Sequence, residues 1–257
     1  MRPRHIRVVI LALGVVVAAG LFVVYGRSIW YPMLLQITGP RTVADAVARY
    51  GGAGRARLQP HFARAGVKYP PRQLALLVFK RERRVAVWAD HRFIRDYPIL
   101  AASGHAGPKL RQGDYQVPEG VYRIEWLNPN SSYHLSMKVS YPNAFDRQMA
   151  TADRRTNLGG DIFIHGKNVS IGCVALGDPA IEELFTLAAD TGPQRIKVVI
   201  APNDLRTGGA ILHESAPTWV GQLYRTVAAA LAEFPVWMES NSALDVRGMS
   251  KVAPRFK

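Results

Sequence analysis

Residues 8–26, VVILALGVVVAAGLFVVYG, run without a charge between Arg7 and Arg27. Coiled as an α-helix, a stretch of about 19 residues reaches roughly the thickness of a bilayer's hydrocarbon core. A cleaved secretory signal is the alternative. Its apolar region is usually shorter and ends at a small-residue cleavage site, whereas Tyr25, Gly26 and Arg27 follow here, so the expectation is an uncleaved transmembrane anchor. Arg2, Arg4 and Arg7 precede the run and only Arg27 follows it closely, an imbalance that places the N-terminus in the cytoplasm and everything from about residue 27 outside.

The charge is as lopsided as the hydropathy. Of a formal net charge of +14, residues 1–71 hold ten Lys or Arg against Asp45 alone. Polyanions are the expected neighbours, and outside the membrane these are anionic lipid headgroups and carboxylate-rich polymer, so no nucleic-acid partner is expected. The single cysteine, Cys173, excludes an intrachain disulfide and any multi-cysteine metal site. His91, His105 and His213 form no HxH or HxxxH pair, so no metal site is expected.

Four segments follow from the pattern: a cytoplasmic tip and anchor over 1–27, a helical connector over 28–71, a main domain over 72–202, and a helical extension with a loose tail over 203–257. In the connector, 42–49 and 53–65 read as two short helices with Pro60 near a start or bend. From Arg72 the period becomes strand-like. LALLVFK (74–80), RVAVWAD (84–90) and FIRDYPILAAS (93–103) are rich in β-branched and aromatic residues, the first two forming a hairpin about Lys80–Arg83. GVYRIEWL (120–127) and HLSMKVSYP (134–142) resume strand character after a Gly/Pro loop, and 143–160 reads as a polar loop. DIFIHG (161–166) is a short strand, SIGCVAL (170–176) a turn into another, and RIKVVIAP (195–202) a buried strand. Between them Asp178-Pro179 marks a helix start, with the carboxylate as N-cap. Pro217–Phe234 suits an amphipathic helix through Trp219, Leu223, Val227 and Leu231.

A thiol is a good nucleophile only where its thiolate is favoured or a base stands beside it. His165, eight residues before Cys173, ends a strand; Gly166 allows a tight exit, and Ser170-Ile171-Gly172 turns the chain so that thiol and imidazole can face each other. Gly172 would also let a substrate carbonyl approach the Cys173 amide as an oxyanion donor. On spacing alone, Cys173 is equally readable as a small core residue and His165 as a hydrogen-bonded strand end. Tyr133 and His134 could line a cleft, Lys109 and Arg111 could bind substrate carboxylates, and Ser170 could hold the turn or the substrate.

IHG followed by SIGCVAL resembles the active-site signature of the L,D-transpeptidase (YkuD-domain) family. GPKLRQGDYQVPEGVYRI (107–124), with Val117-Pro118-Glu119-Gly120 at the turn before a strand, is similar to that family's loop. SYPNAFDR (140–147) and DPAIEELF (178–185) resemble the proteobacterial murein transpeptidase-like branch. The resemblance covers about residues 72–202. It implies a mainly β, α+β sheet scaffold with flanking helices, a Cys173 nucleophile, a His165 base and a Gly166 carbonyl that orients the imidazole.

It also implies cofactor-free acyl transfer on peptidoglycan stem peptides, in the periplasm, from a single-pass inner-membrane anchor. Many members carry histidine where this chain has Ile171, and a basic residue shortly after the cysteine where it has Val174-Ala175-Leu176. The acceptor therefore stays open: an amine would give a crosslink, whereas water would give an amidase or carboxypeptidase, the latter able to release wall-bound lipoprotein. A wall-binding module with an idle site is the remaining, non-enzymatic alternative.

Overall fold

A computed structural model of the chain describes residues 3–104, 107–210 and 216–236; His105, His213 and the tail from 237 onward lie outside the described residues. The hairpin about Lys80–Arg83 is present: β1 (Leu74–Phe79) pairs antiparallel with β2 (Arg84–Ala89), which pairs with β3 (Arg92–Pro98). Then come β4 (Gly120–Asn128), β5 (Ser136–Val139), β6 (Phe163–His165), β7 (Val174–Ala175) and β8 (Ile196–Ala201). Among the described residues these form one mixed sheet in the order β3-β2-β1-β8-β4-β5-β6-β7. The chain leaving β3 crosses to the opposite edge, where Ala101 bridges Ala175, so the sheet curls toward closure as a half-barrel. The α+β class read from the sequence holds.

Helices cover both faces. α5 (Asp178–Thr191) buries Ile181, Leu184, Phe185 and Leu187 against one face, and α6 (Val220–Ala232) buries Leu223, Val227 and Leu231 against the other, the stripe expected of it. At about 25 cal/mol per Å², each such side chain removed from water contributes on the order of 1.5–3 kcal/mol.

Before the sheet lie α1 (Pro3–Tyr25), α2 (Arg27–Thr38) and α3 (Val43–Ala65). Among the described residues no helix is long and apolar enough to cross a membrane. The two connector helices expected over 42–49 and 53–65 are one. α3 runs through Gly51, Gly52, Gly54 and Pro60, starting at a capping box in which Thr42 and Asp45 bond each other's backbone amides. Contact with α5 compensates the poor helix formers. A Cβ on Gly54 would sit 3.3 Å from the Glu182 carbonyl oxygen and from Thr186 Oγ1, so glycine allows the two helices to approach. Arg55 then clamps Asp190 with two bonds of 2.7 Å, and Arg57 reaches buried Glu183 at 2.6 Å.

Two further expectations are corrected. Residues 143–160 contain α4 (Ala144–Ala152), opened by a capping box between Asn143 and Asp146, an Asn-x-x-Asp signal hidden in a polar stretch. Asp178 is not the N-cap of α5; Gly177 is, and the Asp178 carboxylate is used elsewhere.

Candidate active site

The register of β4–β7 sorts side chains into two faces. Leu127 pairs Met137, Met137 pairs Ile164, and Ile164 pairs Val174, making a row of four buried apolar residues across the sheet. Because successive residues of a strand point to opposite faces, their neighbours lie on the other side. There, Asn128, Ser136, His165 and Ala175 form one row; Trp126, Lys138 and Phe163 form the next, which reaches Cys173 when the β6–β7 register is carried back one residue. Strand register thus places His165, at the end of β6, and Cys173, just before β7, on one face of the sheet.

Each is held by its own small network. His165 is 2% exposed, and its Nδ1 bonds the Gly166 carbonyl oxygen at 2.6 Å. That bond assigns the ring proton to Nδ1 and leaves Nε2 as the basic nitrogen. The Gly166 role expected from the resemblance has its geometric counterpart here. Any side chain at Gly166 would collide with Asp178 Oδ1 at 2.7 Å and the Tyr133 carbonyl at 2.8 Å. Asp178 accepts from the Lys167 amide at 2.9 Å and from Lys167 Nζ at 2.6 Å, and so ties the turn after His165 to the head of α5.

Around the thiol, Ser170 Oγ accepts from the Cys173 amide at 2.9 Å and donates to the Cys173 carbonyl at 2.7 Å. Gly172, at φ +99°, donates its amide to Ser103 Oγ at 2.6 Å, and Ser103 donates in turn to the Tyr115 carbonyl. This adjusts the oxyanion expectation. The Cys173 amide is already paired, so a substrate oxygen reaches it only by displacing Ser170 Oγ.

The electrostatics describe a neutral resting pair. Burial holds the His165 imidazole below its ordinary range, with the Gly166 bond opposing, so the ring is neutral near pH 7. Burial likewise pushes the Cys173 thiol up, while a backbone hydrogen bond from Phe163 and the charges of Lys138 and Lys109 pull it down. The thiol faces the Asp161 carbonyl at 3.6 Å. A neutral thiol and a neutral base on one sheet face suit proton removal during attack rather than a preformed ion pair.

The four weaker candidates separate. Tyr133, partly exposed, lies against the His165 ring with centroids 4.8 Å apart and does line the site. His134 does not. At φ +77° it turns the other way, pairing Glu182 at 2.9 Å and meeting the Tyr50 ring, so it links the β5 entry to the helices. Lys109 is buried and committed to Asp114 at 2.5 Å, which leaves no free ammonium for a substrate carboxylate. Arg111 is exposed; its amide bonds Asp114 and its carbonyl accepts from Lys109.

Three residues of this face escaped the sequence reading. Lys138 Nζ pairs Asp161 at 2.9 Å and lies 5.1 Å from the centre of the Phe163 ring, against which Trp126 packs edge-on. Alternation in HLSMKVSYP would have placed Lys138 beside Ser136, two residues apart on one face. Among the described residues, no group of three or more His, Cys, Asp or Glu side chains is placed to hold a metal ion.

Residues 73–200 match the YkuD model, the L,D-transpeptidase catalytic domain. Over 134 residues the chain is 35% identical to the Escherichia coli K12 protein named "Putative L,D-transpeptidase YafK", covering 49% of this chain and 52% of that one. The chain therefore spans about half the length of the curated relative.

Among solved structures, the helical cell shape determining protein Pgp2 from Campylobacter jejuni aligns over 56% of this chain and 55% of its own, at 21% identity and a TM-score of 0.42. Mycobacterium tuberculosis L,D-transpeptidase 1 aligns over 50% of this chain and 61% of its own, at 15% identity and a TM-score of 0.31. Likeness at these scores decides nothing about substrate. The matched segment, 73–200, contains both His165 and Cys173, and through it the chain belongs to the YkuD family of L,D-transpeptidase catalytic domains.

Proposed function

We propose that the chain is a cysteine acyltransferase that cleaves the bond between an L-centre and a D-centre in peptidoglycan stem peptides. The observation that carries this reading is the placement of Cys173 and His165 on one sheet face, with the His165 ring oriented by the Gly166 carbonyl. The Cys173 thiol gives its proton to His165 Nε2, and the sulfur attacks the scissile carbonyl carbon. The tetrahedral oxyanion collapses with cleavage of the C–N bond, and the departing amine takes the proton from His165, leaving a thioester on Cys173. An acceptor then repeats these steps in reverse order.

A diaminopimelate side-chain amine as acceptor gives a crosslink, and water gives a shortened stem or a released lipoprotein. Ile171, 71% exposed at the mouth of the turn, favours keeping water as the second reading, because the resemblance puts histidine at that place in many members. Lys138 supports a carboxylate-bearing substrate. Its partner Asp161 is largely exposed and can yield to a substrate carboxylate. The apolar run 8–26 and the basic residues flanking it support a single-pass anchor in the inner membrane, with the catalytic domain in the periplasm.

Purified protein incubated with tetrapeptide-bearing muropeptides, wild type beside Cys173→Ala, tests the reading in one chromatogram. Cys173-dependent dimers or exchange products indicate transfer, and chain-shortened stems indicate hydrolysis. No product from either protein, with binding to sacculi retained, would leave a wall-binding module with an idle site.

A further inference from the structure

Among the described residues a basic cavity lies away from the thiol, where α2 meets the main domain. It measures about 550 Å³, and Arg27, Arg41, Arg49, Tyr31, Tyr50 and His134 line its polar part. No carboxylate lines it. The direct contacts that brace its arginines are to neutral groups, with Asp45 within electrostatic reach of Arg41. Arg27 lies 4.3 Å from the centre of the Tyr31 ring and Arg49 5.4 Å from that of Tyr50, while Arg41 donates to Tyr31 Oη at 2.8 Å and to the Pro129 carbonyl. Arg27 Nε is buried with no hydrogen-bond partner among the described residues, an arrangement that is unfavourable unless an acceptor is supplied.

Three guanidiniums held by neutral groups around one cavity match a phosphate oxygen set, since each presents a planar fork of donors. The helix that forms one wall says where such a phosphate would come from. On α2, Ile29, Met33 and Ile37 recur every fourth residue and are 63%, 62% and 84% exposed, a stripe along one side that the described residues leave uncovered. Leu34 lies at the boundary, half exposed while lining the cavity. An apolar stripe beside a basic pocket, directly after an apolar run of 19 residues, is the pattern of a helix lying in a membrane interface, with its cations at headgroup depth.

We infer that the cavity between α2 and the main domain binds the phosphate of an anionic lipid headgroup, with the α2 stripe resting in the acyl region. This rests on the proposed membrane anchor. Headgroup binding would fix the height and orientation of the catalytic domain above the bilayer, because Arg41 also ties the cavity to the loop before β5. Its amide donates to Asn130 Oδ1 at 2.8 Å, and Asn130 Nδ2 donates back to its carbonyl at 2.7 Å.

The test reconstitutes the full chain into nanodiscs of phosphatidylcholine alone or mixed with phosphatidylglycerol, then measures retained lipid by native mass spectrometry. Wild type and an Arg27→Gln/Arg49→Gln double variant are compared, and near-UV circular dichroism confirms that the variant is folded. If the double variant is misfolded, single Arg49→Gln, altering an exposed side chain, serves instead.

The expected result is retention of phosphatidylglycerol over phosphatidylcholine by wild type, reduced about tenfold or more in the variant. Equal retention by both proteins, or no preference between lipids, would overturn the proposal while leaving insertion intact. Inorganic phosphate binding to wild type without lipid preference would assign the pocket to a free ion and overturn the lipid source. A chain that stays out of the nanodiscs altogether would sink the anchor reading, and the headgroup proposal with it.

Discussion

The two halves of the sheet are built in opposite ways. In β1, β2 and β8 each strand is six residues long; β1 is buried throughout, and the β1–β2 and β1–β8 registers run unbroken from end to end. In β5, β6 and β7 the strands shrink to four, three and two residues, and the β4–β5 register slips between Ile124 and Trp126. The first half is held by ladders and a two-sided apolar core. The second, which carries His165 and Cys173, adds to its short ladders side chains that accept from turn amides: Ser103 from Gly172, Ser170 from Cys173 and Asp178 from Lys167. Stability therefore resides mainly on one side and chemistry on the other, and the same kind of substitution should have different consequences in each.

The largest separation is expected from Cys173→Ala. It should remove all turnover while leaving the thermal midpoint within a degree or two, because a partly exposed thiol contributes little packing. A Leu77→Ala exchange in β1 should do the reverse. Leu77 is fully buried, and the cavity left behind costs about 2–5 kcal/mol, read from urea unfolding, with kcat of the folded fraction nearly unchanged. If both variants lost stability and activity together, the division between halves would fail.

A pH profile sharpens the comparison within the site. His165 is held below the ordinary histidine value of 6.5, so the acidic limb of kcat/KM should fall below pH 6.5. The linked stability has the same sign. Above pH 6.5 the ring is neutral folded and unfolded; as pH drops from there toward the lower folded value, only the unfolded chain binds the proton and stability declines. An acidic limb above pH 6.5 would contradict the neutral resting pair. The smallest effect is expected from Lys138→Met. Loss of its charge should push the Cys173 thiol further up, seen as a shift to higher pH in the rate of thiol alkylation with little change in unfolding.

The sequence disclosed the two halves unequally. The β1–β2 hairpin and β8 were legible because buried strands are continuous apolar runs bounded by charge, and α6 because its stripe recurs at helical spacing. The pair His165 and Cys173 became legible through a local signature, IHG and SIGCVAL. What stayed hidden depends on contacts distant in sequence. The glycines of α3 read as a break until the backbone of α5 lies against Gly54, and Asp178 read as a cap until Lys167, eleven residues away, claims its carboxylate. Lys138 and Trp126 join Cys173 only through strand register, and His134 leaves the cleft because its backbone takes a positive φ that no periodicity reveals.

The central claim is that Cys173 forms the acyl-enzyme with His165 as its base. The most direct measurement is intact-mass spectrometry of the full chain quenched in acid during turnover of a tetrapeptide stem donor, with wild type, Cys173→Ala and His165→Gln side by side. The account predicts a single thioester adduct on wild type, mapped to Cys173, absent from Cys173→Ala and slowed at least about a hundredfold in His165→Gln. An adduct that forms as fast without the imidazole, or that maps to any other residue, would contradict it.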